Sequence, residues 1–183
     1  MSLFRLRYAA AATAVALTVA CSGRLAAPAR DPAAWRVGTR SFGPISYGST
    51  VAEATRSAGR PLEAVREYKR QCGIYRFDTL PAGVSIMVSE GRVVRVEVDG
   101  PSGIRTTEGA GVGSTEDEIR RLYPGRIRTD PHAFADGGAH YLVLTPEVPS
   151  DTTYGLVFET NGTAVVSYRA GLWGAALANE GCL

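Results

Sequence analysis

One six-residue segment of this chain recurs at a spacing of 65, and that recurrence limits its fold more than any other feature does. Gly48-Ser49-Thr50-Val51-Ala52-Glu53 returns as Gly113-Ser114-Thr115-Glu116-Asp117-Glu118. Each copy places Thr three residues before Glu, the pattern in which side chain and backbone satisfy each other's orphan donors at a helix start. The second copy continues with Ile119, Leu122 and Tyr123 at helical spacing and stops at Pro124-Gly125. In the first copy Val51, Ala54 and Ala58 form a weaker apolar face, and Gly59-Arg60-Pro61 ends it. A further short helix is predicted over about Leu62 to Lys69, from Leu62, Val65 and Tyr68.

After each helical piece the apolar period drops to two. In the first half, 72–79, 83–89 and 92–99 read as strands, with Glu90-Gly91 as the turn between the last two. Val84, Ile86 and Val88 give one of these strands an apolar face, and Val94, Val96 and Val98 another. In the second half, 126–129, 140–145, 153–159 and 163–170 repeat the arrangement. Asn161-Gly162 is the strongest hairpin signal, because a type I′ turn needs positive φ at both central residues. The expected fold class is therefore α+β: two tandem helix-plus-antiparallel-meander repeats, over 38–105 and 106–183, forming a sheet covered on one side by helices.

Gly48-Ser49-Thr50 followed by Ala58-Gly59-Arg60-Pro61 resembles the Gly-Met-Thr … Leu-Gly-x-Pro signature of the SmpA/OmlA outer-membrane lipoproteins. Two such units in tandem are similar in plan to the beta-lactamase inhibitory proteins, which are secreted binders with a concave sheet. The resemblance implies a binding role for that sheet and names no partner.

The N-terminus adds an address. Arg5 and Arg7 precede an uncharged run from Tyr8 to Ala20. That run is too short to span a hydrocarbon core, which takes about 20 residues, and reads as the apolar part of a signal peptide over 1–20. Leu17-Thr18-Val19-Ala20-Cys21 resembles the lipobox of bacterial lipoproteins. The resemblance implies lipidation at Cys21 and attachment to the cell or outer membrane, periplasmic or surface-exposed. Cleavage near Ala26-Ala27 is the alternative and would release a soluble protein. Residues 21–37, rich in Ala and Pro, are expected to form a flexible tether. Lipidating Cys21 would leave Cys72 and Cys182 as the remaining pair, matched for a disulfide in an oxidising compartment. A buried free Cys72 with a separate tail thiol is the other arrangement.

Taking Arg5 and Arg7 from the 20 basic residues leaves 18 against 18 acidic ones. Such a balance argues against nucleic acid as a partner, since that requires a basic patch. No catalytic constellation emerges. Gly109 to Gly113 lacks the Gly-Lys-Ser/Thr ending of a phosphate loop, no Gly-x-Ser-x-Gly elbow presents a Ser nucleophile, and Cys72 is better used in a disulfide. His132 and His140 lie close to Asp130 and Asp136 and could face a metal, but Pro131 and Gly137-Gly138 explain the layout as a hairpin. No metal and no cofactor are expected.

Among the aromatics, Tyr75 and Phe77 share one strand face, as do Tyr154 and Phe158 with Tyr168 across the hairpin, and all of these rings could instead be core beneath the helices. Tyr75, Phe77, Arg95 and Glu97 are the candidates for contact with a protein partner, because interfaces favour aromatic and Arg anchors. The sequence thus predicts a non-catalytic exported lipoprotein that binds another envelope protein as an assembly or inhibitor-like accessory. The alternative is a small-ligand or metal-binding protein using the His132/His140 region.

Overall fold

A computed structural model describes residues 31–69, 71–134 and 137–182. The signal segment, Cys21, the first part of the tether and Asp136 lie outside the described residues. The fold is mixed α and β, mostly strand, in two sheets. The small sheet contains β1 (Arg36–Val37), β2 (Ser41–Phe42), β3 (Ile45–Ser46) and β8 (Arg105–Thr106), in the order β3-β2-β1-β8. The large sheet has eight strands. Four come from the first half of the chain: β4 (Glu63–Tyr68), β5 (Cys72–Arg76), β6 (Val84–Ser89) and β7 (Arg92–Asp99). Four come from the second: β9 (Ile127–Pro131), β10 (His140–Leu144), β11 (Tyr154–Thr160) and β12 (Val165–Leu172). Their order is β4-β5-β6-β7-β12-β11-β10-β9, every neighbour antiparallel. The last strand of each half therefore meets the other at the middle.

Two helices start as the Thr-x-x-Glu pattern predicts. In α1 (Val51–Ala58), Glu53 N–H donates to Thr50 Oγ1 at 3.2 Å while Thr50 N–H donates to the Glu53 carboxylate at 2.8 Å. In α2 (Glu116–Leu122), the Thr115/Glu118 pair makes the same bonds at 3.2 and 2.9 Å. Each helix start is sewn to the last hairpin of its own half. Gly48 N–H donates to Val93 O and Val93 N–H to Ser49 O, at 2.7 and 2.8 Å; Gly113 N–H donates to Val165 O and Val165 N–H to Ser114 O, both at 2.9 Å.

The main core joins one face of the large sheet to α1, α2 and the small sheet. Val84, Ile86, Val96, Leu142, Phe158 and Tyr168 pack there with Ala54, Ile119, Phe42 and Trp35. The Trp35 ring meets Phe42 and Phe77 edge-on, with centroids 5.2 and 5.8 Å away.

Several expectations change. The segment predicted as a helix over 62–69 is strand β4: eight residues cannot hold a helix without packing, and all six residues of β4 are exposed. The unpaired edge of β5 supplies hydrogen bonds instead. Residues 32–37, placed in the tether, belong to the fold: Pro32, Trp35 and Val37 are buried. The division expected between 105 and 106 falls inside β8, which pairs in parallel with β1. The type I′ requirement is met at Glu90-Gly91, with φ of 51° and 73°, and not at Asn161-Gly162, where only Gly162 has positive φ. There the Asn161 side chain accepts from Thr163 and Ala164 N–H and closes a longer loop. Helices also do not keep to one side. A third, α3 (Trp173–Leu177), packs on the opposite face, over β11, β12 and β7.

Candidate functional site: the polar face of the large sheet

The face away from α1 and α2 carries a connected network of buried and half-buried charged side chains. Register sets it out: Glu97 stands opposite Arg169, Ser167 opposite Glu159, and Glu159 opposite Tyr141. Arg95 and Arg169 are almost fully buried, at 2% and 3% exposure. A buried guanidinium needs acceptors for its five donors, and the C-terminal segment supplies several of them; Arg95 Nε is left without one among the described residues. Arg95 donates to the carbonyls of Ala175 and Ala178, each at 3.1 Å, and to Glu97 at 2.7 Å. Arg169 donates to Ala176 O at 2.8 Å and Asn179 Oδ1 at 3.1 Å, and lies over the Tyr141 ring at 5.4 Å. Burial and the Arg95 charge lower the Arg169 pKa, while Glu97 and Glu159 oppose the shift. Carbonyls at the end of α3 carry the negative end of its dipole, which favours cations there.

His132 extends this network. Its Nδ1 accepts from Phe134 N–H at 3.1 Å, so Nε2 is the nitrogen that donates to Glu159, at 2.9 Å. The ring stacks on Tyr141 with centroids 4.5 Å apart. Ser167 Oγ donates to the same Glu159 carboxylate at 3.3 Å. Serine and histidine thus both bind the carboxylate and do not bind each other. A nucleophile needs its base adjacent, and this arrangement does not activate Ser167.

His140 points the other way. Its Nδ1 meets Glu116 at 2.8 Å, on the α2 side of the sheet, where Thr160 and Arg120 also donate to Glu116, at 2.6 and 3.0 Å. Burial alone would raise the Glu116 pKa, but the hydrogen bonds from Thr160, His140 and Arg120 hold it below the ordinary 4.5. The two histidines therefore face opposite sides of the sheet and do not share a cleft. Among the described residues no group of three or more His, Cys, Asp or Glu is arranged to hold a metal.

The four residues expected at a partner surface do not share one. Phe77 is buried in the main core and Tyr75 packs against it, on the α1 side. Arg95 lies on the opposite face beneath the C-terminal segment, and only Glu97 remains partly open there. Cys72 and Cys182 form a disulfide, with Cα atoms 5.5 Å apart, that ties this segment to β5.

Arg169 and α3 were missed in the sequence, although Gly155 signalled the approach of α3, as Gly171 did that of β7. Glycine inside a strand marks a close backbone approach. A Cβ on Gly155 would stand 3.0 Å from Ala176 and Leu177 of α3, and one on Gly171 would stand 2.1 Å from Val94 O.

Beside the segment lies an open groove of about 570 Å³, lined by Cys72 and Ser89 from the first half, Phe134 from the second, and residues 178–182. Phe134 is 72% exposed. A second cleft of about 390 Å³ lies between the 39–40 turn and the β10–β11 loop, with Arg40, Tyr123, Arg126 and Tyr154 in its lining.

No protein-family model matches the chain, and no curated protein matches it. Among solved structures, an extracellular protein containing an SCP domain from Bacillus anthracis str. Ames is similar at 13% identity and a TM-score of 0.43. The match covers 68% of this chain and 43% of that one, less than half its length. At that TM-score the likeness carries no functional weight. Among the described residues no helix is long and apolar enough to cross a membrane.

Proposed function

We propose that this chain is an exported, non-catalytic binding module that grips another envelope protein across the polar face of its large sheet. The observation that carries the reading is the groove joining the two halves, with Phe134 held out over it. Leaving such a ring in water forgoes about 1.5–3 kcal/mol of burial, and aromatic anchors of this kind dominate protein interfaces. His132 braces the loop that presents it, through the bond to Phe134 N–H.

Two further parts of the reading have support of their own. The matched bonds from Gly48 and Ser49, and from Gly113 and Ser114, to the final hairpin of each half favour a tandem duplication of one helix-plus-meander unit. With Cys72 joined to Cys182, Cys21 is the one cysteine left of three, which favours its lipidation. A disulfide also persists best outside the reducing cytosol. Cys21→Ser should then release the protein from the membrane fraction, and unchanged fractionation would refute the anchor.

The partner site is tested by placing a photo-cross-linking residue at position 134 in intact cells, with position 121 on the exposed side of α2 as control. A discrete adduct from 134 and none from 121 is expected. Adducts from 121 alone would overturn the assignment of the face. A small-ligand reading retains only the cleft beside Arg40 and Arg126, since His132 and His140 face apart.

A further inference from the structure

Attachment of the C-terminal segment weakens toward its end. Residues 173–179 are held by Arg95 and Arg169, by the Ala178 N–H to Gly174 O bond at 3.2 Å, and by the packing of Ala176 against Gly155. Beyond Asn179, the polar and covalent links among the described residues are one Arg95 bond to Glu180 O at 3.5 Å, at the limit of a hydrogen bond, and the disulfide. Cys182 itself covers Met87 and Val94, a small apolar cluster separate from the main core. Both cysteines line the open groove, Cys72 half-buried and Cys182 9% exposed, so the bridge forms part of the groove wall with Cys72 as its more exposed end.

We infer that residues 180–182 are a redox-sensitive latch, in which reduction of Cys72–Cys182 by an exported dithiol frees the tail end and uncovers Met87 and Val94 while α3 stays docked. A thiolate of the dithiol attacks one sulfur of the bridge. The S–S bond breaks with its electron pair on the other sulfur, which takes a proton. The second thiol of the reductant then displaces the protein sulfur. Two electrons have entered the protein pair, and the reductant departs as its own disulfide. The inference concerns the tail alone and does not depend on what the groove binds.

Met87 is the only methionine beyond Met1, so its conversion to sulfoxide by hydrogen peroxide reports directly on the covered strip. In folded wild type, dithiothreitol without denaturant should open the bridge, shown by iodoacetamide addition at both cysteines, with a cooperative melt retained. In Cys72→Ser/Cys182→Ser, which has no bridge, peroxide should oxidise Met87 faster than in the oxidised wild type, while hydrogen exchange across α3 stays slow. Three results would overturn the latch: a bridge reduced only after unfolding, Met87 oxidising at the wild-type rate, or α3 opening together with residues 180–182. If the double variant does not fold, the reduced wild type decides by the same readings, and loss of its melt would make the bridge a staple of the whole fold.

Discussion

Hairpins β6–β7 and β11–β12 each leave one valine of the second strand without a cross-strand partner: Val94 between Val93 and Arg95, and Val166 between Val165 and Ser167. In both, an extra residue enters the ladder within two positions of the start of the strand, a bulge that bends it. The backbones match, and the surroundings do not. Val94 is 9% exposed beneath Cys182, whereas Val166 is 42% exposed. The difference arises because α3 and the tail follow only the second half, then run back over the middle of the sheet to β5. Likewise the first helical residue is Val51 in one half and Glu116, with its three side-chain donors, in the other. A shared set of backbone bonds thus carries two kinds of side-chain chemistry.

The largest expected effect tests the tail. Arg95→Met should cost about 3 kcal/mol, because it leaves Glu97 and two helix-end carbonyls without their donor. Urea unfolding measures this, and a cost below about 1 kcal/mol would mean that the tail is held by other contacts.

Glu116→Val, which gives the second half the residue of the first, should cost about 2 kcal/mol through loss of charged hydrogen bonds. Its pH dependence has a fixed sign. The folded carboxyl titrates below its ordinary 4.5, so its contribution is present above that pH and fades as pH falls through the lower folded value. The stability gap between wild type and variant should therefore narrow under acid. A gap constant down to pH 3, followed by circular dichroism, would assign the loss to packing.

Smaller effects probe what the halves share. Thr50→Ala and Thr115→Ala should each cost about 1 kcal/mol as lost N-caps, and clearly unequal melting shifts would break the equivalence of the two helix starts. Smallest of all, Glu90→Gly relieves a left-handed non-glycine residue, at φ 51°, but adds freedom to the unfolded chain. The two nearly offset, for a net gain under about 1 kcal/mol in thermal unfolding.

Much of the strand pattern was legible because alternation directly records a half-buried strand: β7 spans 92–99 as read, and β6, β10 and β11 agree within one residue at each end. Segment 62–69 was not, since Leu62, Val65 and Tyr68 fit a helical stripe as well as an edge strand, and only pairing with β5 decides between them. The candidate site was legible in part. Glu97 was placed on a sheet face with some exposure, but Tyr75 and Phe77 were left between core and partner surface, and they belong to the core side. Period-two patterns say which residues share a face and not which face becomes buried.

Determined by the sequence alone were the two capped helix starts, the alternation of the central strands and the cysteines available to pair, because each depends on residues close in the chain or few in number. Tertiary structure decided that the turn at Glu90-Gly91 is the tight one, that His132 and His140 face opposite sides, and that two arginines lie buried beneath the tail. Those outcomes depend on which distant segment supplies acceptors and cover, and no local pattern encodes that partner.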